Sequence, residues 1–161
     1  IHIGLDFNVH PFSCVLAHVY PYSPKVQVFD TISLSHAGKG DLLTQRMADT
    51  IKAKYPNENY IIYPDASSRQ RATSSAFSDF DILKMNGFQI RMGNKNPLEP
   101  NIIIDPRCQD LINDLEKVVN KPNTRVLDKS NTKLTHSSDA LGYLVSYLFP
   151  IVKPTLGAIQ R

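Results

Sequence analysis

The chain has 161 residues, 42% of them hydrophobic, enough to bury the core of one compact domain. Its formal charge of +3, from 18 basic against 15 acidic side chains, permits a polyanionic partner without specifying one. No apolar run approaches the ~20 residues that span a bilayer, and no basic stretch followed by an apolar one opens the chain, so a soluble, non-secreted protein with no membrane partner is expected. Cys14 and Cys108 stand far apart, with no CxxC and no nearby His pair, which argues against a zinc site and a disulfide scaffold. Both are expected to be reduced, buried thiols of an intracellular protein. The sequence lacks an initiator Met and begins at once in a strand-like pattern, so a piece of a longer chain is expected.

Taken in order, "IHIGLDF" alternates with period two and puts Ile1, Ile3 and Leu5 on one face of a strand that ends in a polar "NVHP" turn. "FSCVLAHVY" and "KVQVFDTISL" read as two further strands joined by the "PYSP" turn, completing an antiparallel meander. "GDLLTQRMADTIKAKYP" switches to helical spacing, with Leu43, Met47 and Ile51 on one side and Pro56 stopping it. "NYIIYPD" is a nearly unbroken apolar run that suits a strand buried inside a sheet. A helix around residues 77–85 and a strand "FQIRM" follow, giving a mixed, five-stranded α/β sheet flanked by helices. "GNKNPLEPN" reads as a loop and "IIID" as a short extended piece. "PRCQDLINDLEKVVNK" reads as a helix with Pro106 near its first turn and Leu111, Leu115 and Val118 or Val119 as its apolar stripe. "HSSDALGYLVSYLFP" closes the fold as an amphipathic helix from about Ser137, with Leu141, Leu144, Val145 and Leu148 facing the core. The whole chain, 1–161, reads as a single domain without repeats.

Asp6 ends the first strand and Asp65 the fourth. If those strands are parallel neighbours, their carboxylates reach the same sheet edge, where ligands bind in open α/β sheets. Asp139 falls in the first turn of the last helix, three residues after His136, a spacing that projects both side chains toward nearly the same side. Three ionised carboxylates brought together repel and must raise their pKa values or bind a cation. Hard oxygen donors suit Mg²⁺ or Mn²⁺, and two such ions can carry an in-line phosphodiester displacement. Singly, each aspartate also has a plain structural reading, as a turn former at a strand end or a favoured charge at a helix N-terminus.

Other residues carry less. His136 reads as a metal ligand, a proton shuttle or a residue near the helix cap. Arg69 and Arg71 are candidates for gripping a phosphate through forked hydrogen bonds, or are solvated arginines of a polar loop. Lys129 adds a further candidate DNA-binding cation, near the third aspartate. "HAGKGD" lacks the GxxxxGK[ST] spacing of a phosphate loop and reads as a loop before a helix.

"IGLDFNVHPFSCVLAHV", "YPDASSRQR", "GFQIRMGNKNP", "IIIDPRCQDLINDLEK" and "THSSDALGYLVSYLFP", in that order, resemble the C-terminal nuclease domain of the large terminase subunit of tailed double-stranded DNA bacteriophages. The resemblance spans nearly the whole chain, and the "DPRCQDLINDLE" helix followed by "HSSDALGY" is its most specific part. It implies a ribonuclease H-like fold and a two-metal endonuclease, using Mg²⁺ or Mn²⁺, that cuts concatemeric viral DNA in the host cytoplasm during packaging. It carries the family's acids onto Asp6, Asp65 and Asp139 and a frequent histidine onto His136. The implied partners are double-stranded DNA, an N-terminal ATPase motor that this chain lacks, the portal and the small terminase subunit. Competing readings are another ribonuclease H-like enzyme, such as a junction resolvase or transposase core, and a catalytically idle DNA-binding or docking module. A sugar-kinase-type half would need clustered glycine turns that the seven glycines here do not form.

Overall fold

A computed structural model of the chain describes residues 1–7, 11–38, 41–64, 77–91 and 100–150. The alternating opening segment forms β1 (His2–Asp6), and the next two apolar segments form β2 (Phe12–Val19) and β3 (Lys25–Leu34). β1 pairs antiparallel with β2, and β2 with β3, which is the expected meander. The apolar run at Tyr60 becomes β4 (Ile61–Pro64), parallel to β1 with Ile3 opposite Ile62 and Leu5 opposite Pro64. The parallel neighbours anticipated from the two aspartate-bearing strands are therefore present. β5 (Gln89–Ile90) extends the sheet beyond β4.

The sheet has six strands rather than the expected five, in the order β5-β4-β1-β2-β3-β6. The added strand is β6 (Asn101–Ile104), which contains most of the "IIID" segment and runs parallel to β3 from Lys25–Asn101 to Val28–Ile104. Four extended residues carry too little periodicity to separate a strand from a connector. The identity of β6 as a strand comes from its pairing with the edge of β3.

Side-chain alternation divides the core between the two faces. Ile3, Leu5, Phe12, Cys14 and Ile62 point toward α1 (Leu43–Lys54) and α2 (Asp79–Met85), where Met47, Ile51 and Leu83 meet them. Val15, Ala17, Val28 and Tyr63 point toward α3 (Gln109–Lys117) and α4 (His136–Leu148), which supply Leu111, Leu141, Leu144 and Leu148. A Ser78–Asp81 capping box starts α2, and the buried Thr44 hydroxyl donates to Asp79 at 2.6 Å, tying α1 to α2. Both cysteines are free and buried, as expected. Among the described residues no helix is long and apolar enough to cross a membrane.

One helix face departs from its expected composition. Leu115 is 53% exposed and Val119 is 61% exposed, while Leu111 and Asp114 are buried. The helix starts at Gln109, after the turn containing Pro106, and ends at Lys117, so Val119 lies beyond it. The position that hydropathy assigns to an apolar residue is held by a carboxylate whose partner lies on α4.

The first strand also carries a pH-sensitive contact. His2 stacks on Tyr63, with centroids 5.7 Å apart and planes 9° from parallel, and its Nδ1 lies 2.9 Å from the Tyr63 hydroxyl. Burial is the main cause that lowers its pKa from 6.5 to about 4, with Arg91 and His18 adding to it. Between those values the unfolded chain binds a proton that the folded chain refuses. The stabilisation is therefore complete above the unfolded value and is lost as pH falls toward the folded one. With screening at this partly exposed ring, the expected loss is about 1 to 2 kcal/mol. Urea unfolding at neutral and mildly acidic pH checks this. His2→Phe should flatten the difference, and an equal loss in both proteins would assign it to other groups.

Candidate active site

α4 reaches β1 through a missing side chain. A Cβ placed on Gly4 would lie 2.0 Å from the backbone oxygen of Ala140 and 3.0 Å from Cβ of Leu144. Glycine inside a strand thus admits the close approach of a helix backbone. Asp6 follows two residues later, on the same face of the strand, and His136 precedes Ala140 by about one helical turn. The packing that buries Leu144 therefore brings the start of α4 over the carboxyl end of β1.

The buried carboxylate of Asp6 meets His136 there, Oδ2 to Nδ1 at 3.1 Å. The other ring nitrogen of His136, Nε2, lies 2.9 Å from the backbone oxygen of Thr132. A carbonyl only accepts, so Nε2 carries the proton in that contact, and the imidazole is fixed in orientation at both nitrogens. Asp139 lies on the same turn of α4, with its amide bonded to the Thr135 carbonyl at 2.7 Å. Its carboxylate is partly exposed and accepts a hydrogen bond from Lys129 Nζ at 2.9 Å. Lys129 is the cation that the sequence placed near this aspartate.

Asp114 of α3 completes the arrangement. It is buried, and its Oδ2 accepts a 3.0 Å hydrogen bond from the backbone N–H of Ser138, between His136 and Asp139. On the sheet side, Asp6, Ser13 and Ser33 stand in register across β1, β2 and β3, and the two serine hydroxyls are 3.0 Å apart. This polar row lies beside the apolar face formed by Val15, Ala17 and Val28. It borders a cleft of about 610 Å³ lined by Ser13, Ser33, Ser35, Asn113, Lys117, Lys133 and His136 among others.

Of the residues singled out in the sequence, Asp6 and His136 are in contact, while Asp139, in the first turn of α4, pairs with Lys129 from the segment that precedes the helix. Asp65, Arg69 and Arg71 lie outside the described residues. Among the described residues no group of three or more His, Cys, Asp or Glu side chains is gathered as a metal would need. Gly4, Ser13 and Asp114 were not singled out. Gly4 had a visible signal, a glycine within an alternating strand. A polar residue on the stripe of an amphipathic helix could have marked Asp114. The partners of both lie on α4, more than twenty positions away, which periodicity does not reveal.

No protein-family model matches the chain, and no curated protein does. Among solved structures it is similar to the nuclease domain of the g2p large terminase of bacteriophage SPP1, a crystal structure with bound Mn. Identity is 21%, the match covers 91% of this chain and 86% of that one, and the TM-score is 0.56. At this identity the likeness shows the fold, which is ribonuclease H-like. The expected fold class is thereby borne out apart from its strand count.

Proposed function

We propose that the chain is the metal-dependent endonuclease domain of a large terminase, hydrolysing phosphodiester bonds of double-stranded viral DNA during genome packaging. The observation that carries this reading is the hydrogen-bonded pair of Asp6, at the carboxyl end of β1, and His136, in the first turn of α4. Two findings support it. The last register pair of β1 and β4 is Leu5 with Pro64, and the next residues in sequence are Asp6 and Asp65. A solved domain of the same fold, 21% identical, is a phage terminase nuclease with bound Mn.

The donor chemistry fits a hard divalent cation. Asp6 offers a buried carboxylate beside an imidazole, and Asp139 a second, partly exposed carboxylate on the same turn as that imidazole. In this reading Asp6, Asp65 and Asp139 hold Mg²⁺ or Mn²⁺. Two such ions, when bound, supply the charge that stabilises the attacking and leaving oxygens. His136, held by Thr132, keeps Asp6 in one orientation and holds or moves a proton at its Oδ2. Lys129 neutralises Asp139 in the absence of the ion and would be released toward a phosphate once an ion took its place. Arg69 and Arg71 grip the backbone next to the scissile bond. The cleft beside the site sets Lys117 and Lys133 and several hydroxyls against two carboxylates, Asp110 and Asp114, so its contribution to holding a strand is the serine hydroxyls and the two ammonium groups. The physiological setting is the host cytoplasm. The motor, portal and small terminase subunit are partners of the longer protein from which this domain derives.

Incubation with supercoiled plasmid and linear duplex tests the reading. The protein is expected to nick and degrade both with Mn²⁺ or Mg²⁺ and little sequence preference. Cleavage should stop with EDTA and fall steeply with salt, because phosphate contacts dominate such binding. ATP hydrolysis is expected to be absent. No cleavage across pH and divalent ions would reject the enzyme reading, and strong preference for four-way junctions would favour a resolvase.

A further inference from the structure

We infer that Asp114 is a positioning residue for the site: from α3 it supplies the cap that α4 lacks and so fixes the turn that carries His136 and Asp139. The inference rests on the nuclease reading of those two residues. Every helix begins with N–H groups that have no partner within the helix, and a Ser, Thr, Asp or Asn at the N-cap ordinarily accepts from one of them. The N-cap of α4 is Thr135, a residue type suited to that task. Its backbone is left-handed, at φ 78° and ψ −16°, and its side chain makes no capping bond. The usual cap geometry has extended backbone at this position, so the Thr135 hydroxyl is not directed at the following amides.

The missing acceptor comes from elsewhere in the chain. Asp114 Oδ2 takes the N–H of Ser138, the third residue of α4, at 3.0 Å. A carboxylate is the acceptor best matched to the positive end of a helix. Because Asp114 is buried, it would be costly there without such a bond. Ser138 lies between His136 and Asp139, so the bond pins the backbone that sets both side chains. The rest of α4 is held independently by Ala140, Leu141, Leu144 and Leu148 against the sheet. Loss of the Asp114 bond should therefore loosen the first turn and leave the body of the helix in place. That separation distinguishes positioning from general support.

The test compares Asp114→Ala and Asp114→Asn with the unaltered domain. Its readouts are amide hydrogen exchange at Ser138 and Leu144, affinity for Mn²⁺ alone, and kcat and KM on linear duplex. Asp114→Ala should speed exchange at Ser138 and leave Leu144 unchanged. Its Mn²⁺ affinity and kcat should fall about ten- to a hundredfold, the range seen when a residue that orients a metal ligand is removed, with KM within about threefold. Asp114→Asn keeps an oxygen acceptor of the same reach and should stay within about threefold of the unaltered domain in every readout. Unchanged Mn²⁺ affinity and kcat in a folded Asp114→Ala protein would overturn the inference, and so would an Asn variant as impaired as the Ala variant.

If Asp114→Ala does not fold, Asp114→Glu decides. It keeps the charge but displaces the acceptor by a methylene, and it should be more impaired than Asp114→Asn; the opposite order would overturn the inference. An unaltered domain that neither binds Mn²⁺ nor cleaves DNA would reject the nuclease reading instead. In that case exchange at Ser138 still judges the cap.

Discussion

Gly4→Ala is expected to lower the unfolding free energy by about 3 kcal/mol or more, the upper end of what overpacking costs. Glycine in a strand interior is ordinarily a weak point, and alanine there ordinarily stabilises by about 0.5 to 1 kcal/mol. The sign reverses here because the new methyl group would stand 2.0 Å from the Ala140 carbonyl oxygen, a backbone atom with no rotamer to change. Either α4 moves off the sheet or β1 bends. Each displaces the first turn of α4 from the carboxyl end of β1, so the Asp6–His136 bond should be lost together with stability. For a domain of this size the melting temperature should fall by roughly 6 to 12 °C. Thermal melting of the variant checks this, and a melting temperature at or above that of the unaltered protein would contradict the close approach.

Asp6→Asn is expected to have the largest effect on activity, a loss on the order of 10³-fold, equivalent to about 4 kcal/mol of transition-state stabilisation. The amide preserves the shape of the side chain and a polar partner for His136, so the fold should survive. What it removes is the charge proposed to hold a divalent ion. A response to metal should disappear with it. For an ion that binds only the folded state with Kd on the order of 1 mM, 10 mM ion contributes about 1.4 kcal/mol. The unaltered domain should then gain roughly 3 to 6 °C in melting temperature with 10 mM Mn²⁺ at matched ionic strength. Asp6→Asn should gain almost nothing. Asp65→Asn and Asp139→Asn should behave alike, and His136→Ala should lose less activity than any of the three. An Asp6→Asn protein that cleaves at the unaltered rate would remove the carboxylate from the mechanism.

Much of this framework was legible because it depends on local periodicity. The alternation of Ile3 and Leu5, the apolar run of β4 and the spacing of Leu141, Leu144 and Leu148 identify the elements that meet at Asp6. The parallel pairing of β1 with β4 follows from that order of elements. β6 was missed because four extended residues acquire their identity only from the edge of β3. The stripe of α3 was misassigned because hydropathy scores Asp114 as a surface residue. Its burial is intelligible only once the Ser138 amide is in place opposite it. Likewise, Lys129 could be read as a charge near Asp139, but only the folded chain brings its ammonium within 2.9 Å of that carboxylate. The recurring obstacle is partnership across long stretches of chain, to which composition and period are blind.

In the proposed function Asp6, Asp65 and Asp139 hold divalent metal. The most direct measurement is anomalous diffraction from crystals of the domain soaked in Mn²⁺, recorded beside an Asp6→Asn crystal treated identically. Mn²⁺ density bonded to carboxylate oxygens of these three residues is expected in the unaltered protein, with that density lost in the variant. Mn²⁺ density elsewhere, or equal density at this position in both crystals, would contradict it.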